Sequence, residues 1–79
     1  MKLKPIASNM TELEIGGVTV LFSYQTPVAA QTEDGFYCRT DKRWSVTTSR
    51  HINKWLAGAR AETRPQSYFD GLTAERRSA

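Results

Sequence analysis

The first half of the chain alternates apolar and polar residues with the period of two that is typical of β-strands. The alternation is clear over residues 11–15 and 18–24, and the pair Gly16-Gly17 between them predicts a tight hairpin. Residues 28–31 and 36–40 predict two further short strands. The pattern therefore indicates a sheet built mainly from sequential antiparallel strands.

The pattern changes its period in the second half of the chain. Residues 44–46 continue the alternation and predict a short fifth strand. Apolar residues then recur at spacings of three and four, which predicts an amphipathic helix over residues 49–58. The residues that recur at these spacings are Ile52, Trp55, Leu56 and Ala59.

Polar residues before this helix indicate where it begins, and Gly58 or the basic run that follows indicates where it ends. Thr47, Thr48 and Ser49 are the candidates for its N-cap, because a hydroxyl there accepts a hydrogen bond from a free backbone amide. Pro65 is suited to the first position of a second, short helix. The polar residues 73–79 predict a disordered tail.

These elements predict an α+β fold for residues 1–79 as a single domain of 79 residues. We expect a small antiparallel β-meander of four to five short strands packed against one C-terminal helix, with a second short helix. Neither helix is long enough to be stable alone, so each is expected to pack on the sheet.

The cysteine count and the hydropathy suggest a reducing compartment. Cys38 is the single cysteine, so the chain cannot form an internal disulfide, on which small secreted domains usually depend. No apolar run has the length of a signal peptide or of a membrane span. We therefore expect a cytoplasmic protein without a membrane partner.

Candidate catalytic chemistry is sparse in this sequence. A nucleophilic Cys38 would need His51 within hydrogen-bond reach, and the spacing gives no reason for them to meet. One cysteine and one histidine do not supply the three or four ligands of a zinc site. The sequence also lacks a glycine-rich phosphate loop. We therefore predict no enzyme activity, no catalytic residue, no metal and no cofactor.

The charge is concentrated in the middle third of the chain. The net charge of the whole protein is +3, but residues 39–64 hold seven cationic side chains and two carboxylates, a net charge of +5. Residues 1–38 have a net charge of −2. A local cationic excess favours an anionic partner, above all nucleic acid, although a solvated surface that keeps the protein soluble is the simpler interpretation.

The segment 43–55 concentrates the residue types that contact nucleic acid. Basic side chains and hydroxyls surround the predicted start of a helix, where free amides favour a phosphate. The predicted binding residues are Arg39, Arg43, Ser49, Arg50, Asn53, Lys54 and Arg60. The aromatic side chains that could stack on bases, if exposed, are Tyr24, Tyr37, Trp44 and Trp55.

Two motifs in the chain are distinctive. Residues 23–29 read Ser-Tyr-Gln-Thr-Pro-Val-Ala, and residues 44–53 read Trp-Ser-Val-Thr-Thr-Ser-Arg-His-Ile-Asn. Over residues 12–58 the chain resembles a family of small proteins of tailed bacteriophages and prophages whose function is not known. The resemblance implies a phage origin and a location in the host cytoplasm, and it implies no activity.

The polar motif is denser than one helix cap needs, which suggests a recognition surface. The alternative is a structural role, in which Tyr24, Ser45, Thr48 and His51 form a buried hydrogen-bond network. The full set of motif positions with a predicted structural role is Tyr24, Thr26, Pro27, Trp44, Ser45, Thr47, Thr48, His51 and Trp55.

Two functions are therefore open. The first is nucleic-acid binding through the basic segment 39–64. The second is a protein-interaction module that inhibits or redirects a host or phage protein, and that could form a homodimer through an exposed edge strand. The acidic residues of the strands favour the second weakly, because they would oppose a duplex wrapped around the protein: Glu12, Glu14, Glu33 and Asp34.

Overall fold

The protein is a six-stranded sheet with one helix on each face. A computed structural model describes the backbone of residues 2–77 and the side chains of residues 3–72. Its elements are β1 (Lys2–Ala7), β2 (Met10–Ile15), β3 (Val18–Ser23), β4 (Thr26–Gln31), β5 (Tyr37–Thr40), α1 (Val46–Leu56), β6 (Ala61–Arg64) and α2 (Gln66–Arg77). The predicted α+β fold is confirmed, with six strands in place of four to five.

The strands lie in the sheet in their order along the chain. Strands β1 to β5 form an antiparallel meander, and β6 pairs parallel to β5. The connection from β5 to β6 passes through α1, so β5, α1 and β6 form a parallel crossover unit. In such a unit the carboxyl ends of both strands and the amino end of the helix lie at the same end.

The hairpin between β2 and β3 is the turn that the sequence predicted. Gly16 and Gly17 both have positive φ, of 52° and 86°, as a two-residue turn of type I′ requires. The turn after β3 ends this strand one residue earlier than the predicted range 18–24. Tyr24 has a φ of 59° and lies in the turn, so the strand ends at Ser23.

Two hydrophobic clusters hold the helices on opposite faces. On one face Ile52 and Leu56 of α1 pack with Leu21 and Ala29 of the sheet. On the other face Phe69 of α2 is fully buried in the cluster that contains Leu13, Ile15, Val20, Ala30 and Cys38. The sheet is thus buried on both faces where the helices lie.

The predicted fifth strand at residues 44–46 is wrong. Trp44 lies in the loop, and Val46 is the first residue of α1. The true N-cap is Ser45, whose hydroxyl accepts a hydrogen bond of 3.1 Å from the Thr48 amide. The candidates Thr47, Thr48 and Ser49 are therefore inside the helix, which begins three residues before the predicted position and ends at Leu56.

The sequence pattern did not predict β1 or β6. Strand β6 occupies a segment for which no element was predicted, and β1 carries Pro5 at the edge of the sheet, where proline is tolerated. Helix α2 is present, but it begins at Gln66, one residue after the predicted first position at Pro65, and its backbone extends to Arg77, within the segment 73–79 predicted to be a disordered tail. The side chains of residues 73–77 and the whole of residues 78–79 lie outside the described part.

Candidate functional site

A polar cavity of about 270 Å³ lies where α1 begins and β5 and β6 end. The loop 41–45 forms one wall of it, and the first turns of α1 form another. We call it the cationic cavity. Its lining residues are Arg39, Thr40, Asp41, Lys42, Arg43, Trp44, Thr48, Ser49, Ile52 and Thr63.

Three cationic side chains line this cavity against a single carboxylate, that of Asp41. The Arg39 guanidinium donates a hydrogen bond of 3.3 Å to the Asn53 side-chain oxygen. The Lys42 ammonium lies 4.1 Å from the centre of the Trp44 ring. Among the described residues neither these two cations nor Arg43 forms an ion pair, so their charge is not neutralised within the protein.

Gln66 at the start of α2 fixes the loop that presents these side chains. Its side-chain oxygen accepts hydrogen bonds of 2.7 Å from Thr40 and of 3.2 Å from the Trp44 indole. Its amide nitrogen donates to the Pro27 carbonyl of β4 at 2.7 Å. The Lys42 amide in turn donates to the Thr40 hydroxyl at 3.2 Å. The loop is therefore tied to β4, β5 and α2.

The structure brings together some of the predicted binding residues and separates others. Arg39, Arg43 and Ser49 line the cationic cavity, and Asn53 adjoins it through Arg39. Arg50 and Lys54 are exposed, one helical turn apart, and do not line the cavity. Helix α1 is about 16 Å long, and Arg60 follows its far end.

Sequence reasoning missed the contribution of Lys42 and of Thr63. Lys42 belongs to the basic segment. The one sequence feature that could have identified it is Trp44, two positions later, whose ring it contacts. Thr63 belongs to the unpredicted β6, so no local pattern could place it beside the start of α1.

The polar motif also contains a hydrogen-bond network between β3 and α1. Ser23 Oγ, which is buried, lies 2.7 Å from His51 Nδ1 and 3.1 Å from Thr48 Oγ1. Ser45 Oγ donates to Thr48 Oγ1 at 3.3 Å. The predicted network is present, with one correction. Ser23 supplies the strand hydroxyl in place of Tyr24, whose ring instead lies 5.8 Å from the His51 ring.

The remaining motif positions have separate surroundings. The Trp55 indole donates a hydrogen bond of 2.6 Å to Glu12 and packs edge-on against Tyr37. Thr26 and Pro27 begin β4, and the Pro27 carbonyl is the one that binds Gln66. Thr47 is exposed on the first turn of α1.

Cys38 and His51 lie on opposite faces of the sheet. Cys38 is buried beside Phe69 under α2, whereas His51 is on α1 and contacts Ser23. Burial raises the pKa of the Cys38 thiol above its usual value, which disfavours the thiolate. Within the described residues there is also no group of three or more side chains able to hold a metal ion.

The acidic residues of the strands are remote from the cationic cavity. Glu12 and Glu14 lie on β2, which is three strands, or about 14 Å, from β5 across the sheet. Glu33 and Asp34 lie in the loop before β5, at the end opposite to the cavity. The structure thus places these four carboxylates away from the cationic cavity, whose lining contains the single carboxylate of Asp41.

Comparisons with known proteins identify a family but no activity. Residues 1–71 match the model of a family described as a family of unknown function (DUF8033). No curated protein and no solved structure matches the chain. In the part of the chain that the structure describes, neither helix is long and apolar enough to cross a membrane.

Proposed function

Because the chain belongs to a family of unknown function, we propose its function from its own geometry: a small, non-enzymatic nucleic-acid-binding protein that contacts phosphates at the cationic cavity. The observation that carries the proposal is the convergence of Arg39, Lys42 and Arg43 on one cavity, where none of them forms an ion pair with a described residue. The resemblance of residues 12–58 to phage proteins supports a phage or prophage origin and action in the host cytoplasm.

The arrangement suits a phosphate backbone for three reasons. Guanidinium groups bind phosphate oxygens through two parallel hydrogen bonds, and the cavity offers two of them. The hydroxyl of Ser49 lines the same cavity and adds a neutral donor. The Gln66 contacts fix the loop before binding, so little conformational entropy is lost when a ligand is bound.

The proposal is tested by binding of labelled single-stranded and double-stranded DNA at about 50 and 200 mM salt. We expect affinity to fall steeply with salt. Lys42→Gln combined with Arg43→Gln removes two cations from the cavity. Each lost phosphate contact lowers the slope of log K against log salt by about 0.7 on a single strand and about 0.9 on a duplex.

The matched control is Lys4→Gln combined with Arg60→Gln, which removes the same two residue types at exposed positions outside the cavity. This control should keep the salt slope of the unmodified protein. Absence of binding at the lower salt concentration would contradict the proposal. An equal decrease of the salt slope in both double variants would also contradict it. Circular dichroism of both variants verifies that the fold is intact.

A second candidate function, protein interaction, is favoured by an apolar surface on the outer strands. Leu3 on β1 is 65% exposed and lines a cavity of about 240 Å³ with Thr11, Phe22, Tyr24 and Gln25. Helix α2 packs on β4, and none of its described side chains lines this surface. A homodimer or a partner protein would bind there, and sedimentation of the unmodified protein against Leu3→Glu tests the homodimer.

A further inference from the structure

A second cavity adjoins the cationic cavity and has a different character. It has a volume of about 400 Å³ and is lined by Arg43, Trp44, Ser45, Val46 and Ser49. Arg43, Trp44 and Ser49 line both cavities, so the two are neighbours. We call the second one the indole cavity, because the Trp44 ring and the Val46 side chain form its apolar wall.

The apolar side chains of the indole cavity do not belong to the hydrophobic core. Trp44 is 41% exposed and Val46 is 69% exposed, and neither belongs to a hydrophobic cluster of the sheet faces. Large apolar side chains that share one exposed cavity are typical of a binding surface.

The Trp44 ring is held in place although it is exposed. Its indole nitrogen donates to Gln66, and Gln66 is itself fixed by Thr40 and by the Pro27 carbonyl. The Lys42 ammonium is 4.1 Å from the ring centre. An aromatic ring that is fixed before binding loses little entropy when a flat ligand stacks on it.

We propose that the indole cavity binds an unpaired nucleobase, so that the nucleic acid recognised at the cationic cavity is single-stranded. This inference rests on the proposed function. A base has apolar faces that stack on aromatic rings, and its own phosphate is only one sugar away. An apolar cavity that shares a wall with a cationic cavity fits these two parts of one nucleotide.

A duplex does not fit the same pair of cavities. The faces of its bases are stacked inside the helix and cannot contact Trp44 unless the duplex opens. Arg43 lines both cavities, where its planar guanidinium can bind a phosphate or stack on the face of a base. The site therefore discriminates by the availability of a base face, without reading the base sequence.

The experiment uses Trp55→Phe, in which Trp44 is the only tryptophan, so that its fluorescence reports on the indole cavity. The probes are single strands of oligothymidylate and oligouridylate, a DNA duplex, an abasic deoxyribose-phosphate strand of equal length, and free thymidine monophosphate. We expect either base-bearing single strand to quench Trp44 and to bind on the order of 10-fold more tightly than the abasic strand.

Variants at exposed aromatic positions give the matched control. Trp44→Ala should bind the base-bearing and abasic strands with equal affinity. Trp44→Phe should retain part of the preference for the base-bearing strand. Phe36→Ala removes an aromatic side chain that is 71% exposed and lies outside both cavities, so it should keep the full preference. Thermal unfolding of each variant verifies that it is folded.

The outcomes separate this inference from the proposed function. Equal salt-dependent binding of the abasic strand, the duplex and the single strand, without quenching of Trp44, overturns the base site and leaves the phosphate site. Monophosphate binding as tight as that of the strand overturns the assignment of a strand. Absence of binding to every polyanion overturns both proposals.

Discussion

Ser23 on β3 and His51 on α1 are joined across the sheet–helix interface by a hydrogen bond of 2.7 Å between Ser23 Oγ and His51 Nδ1. The same buried hydroxyl lies 3.1 Å from Thr48 Oγ1, so a single strand residue serves two side chains of the helix. This contact ties α1 to β3 in addition to the apolar packing of Ile52 and Leu56 on the sheet. Ser49, which lines both cavities, lies on the same helix between Thr48 and His51.

Ser23→Ala should lower the free energy of unfolding by about 1–3 kcal/mol, because it removes a hydrogen-bond partner from both Thr48 and His51 at a partly buried site. Urea denaturation followed by circular dichroism measures the change. Ser8→Ala is the control, since Ser8 is exposed in the turn before β2 and should change stability by less than about 0.5 kcal/mol. Equal stability of the two variants would show that the network contributes nothing.

Ser45→Ala should destabilise the protein by about 1 kcal/mol, because Ser45 is the N-cap of α1. Ser45→Asn should restore most of the loss, since an asparagine side chain accepts the same hydrogen bond from the Thr48 amide. Thr47→Ala, at an exposed hydroxyl two residues later, is the control and should be nearly neutral. A larger loss for Thr47→Ala than for Ser45→Ala would contradict this cap.

Arg50→Gln combined with Lys54→Gln should leave the fold intact, because both side chains are exposed on α1. We expect this variant to lose less affinity for DNA than Lys42→Gln combined with Arg43→Gln. Arg50 and Lys54 act only through the long-range electrostatic field, whereas Lys42 and Arg43 line the cavity. Affinities at about 50 mM salt measure the difference. An equal or greater loss would locate the contact surface on the outer face of α1.

The stability of the protein should decline as the pH rises above 9.0, the ordinary pKa of a cysteine thiol. Burial raises the pKa of Cys38, so the folded protein retains a proton that the unfolded chain releases. The stabilisation is complete below the unfolded pKa and is lost above it. Cys38→Ser, which does not titrate here, should give a flatter profile of unfolding free energy between about pH 8 and 9.5.

A native profile as flat as that of Cys38→Ser would mean that the thiol pKa is not raised. The pH range is chosen because burial also raises the pKa of Tyr68, whose ordinary value is 10.0, and this group acts in the same direction at higher pH. The serine variant keeps a donor for the Ala30 carbonyl, to which the thiol is 3.6 Å away.

Local patterns were sufficient to predict the central strands and the apolar face of α1. Alternation identified β2 and β3 because each contributes every second residue to a buried face, and the glycine pair identified the turn between them. The spacing of Ile52 and Leu56 identified the helix because residues four apart lie on the same side. These properties depend only on neighbours along the chain.

The boundaries at the start of α1 could not be predicted in the same way. Trp44 and Val46 are residue types typical of a strand, but Trp44 lies in a loop, where its indole donates a hydrogen bond to Gln66, 22 positions further on. The predicted binding residues Arg50 and Lys54 are exposed but do not line the cavity with Arg39, because which side of α1 faces the cavity depends on how the helix packs.

The sequence by itself determined that this protein has a sheet, an amphipathic helix and a cationic middle segment, because periodicity and charge are local properties. Only the tertiary structure decided that β6 pairs parallel to β5, which brings Thr63 to the start of α1 and closes the cationic cavity. Only the tertiary structure also separated the acidic strands from that cavity. The physical reason is that strands far apart in the sequence pair through backbone hydrogen bonds. These bonds are the same for every residue type, so the side chains of one strand do not indicate which strand it pairs with.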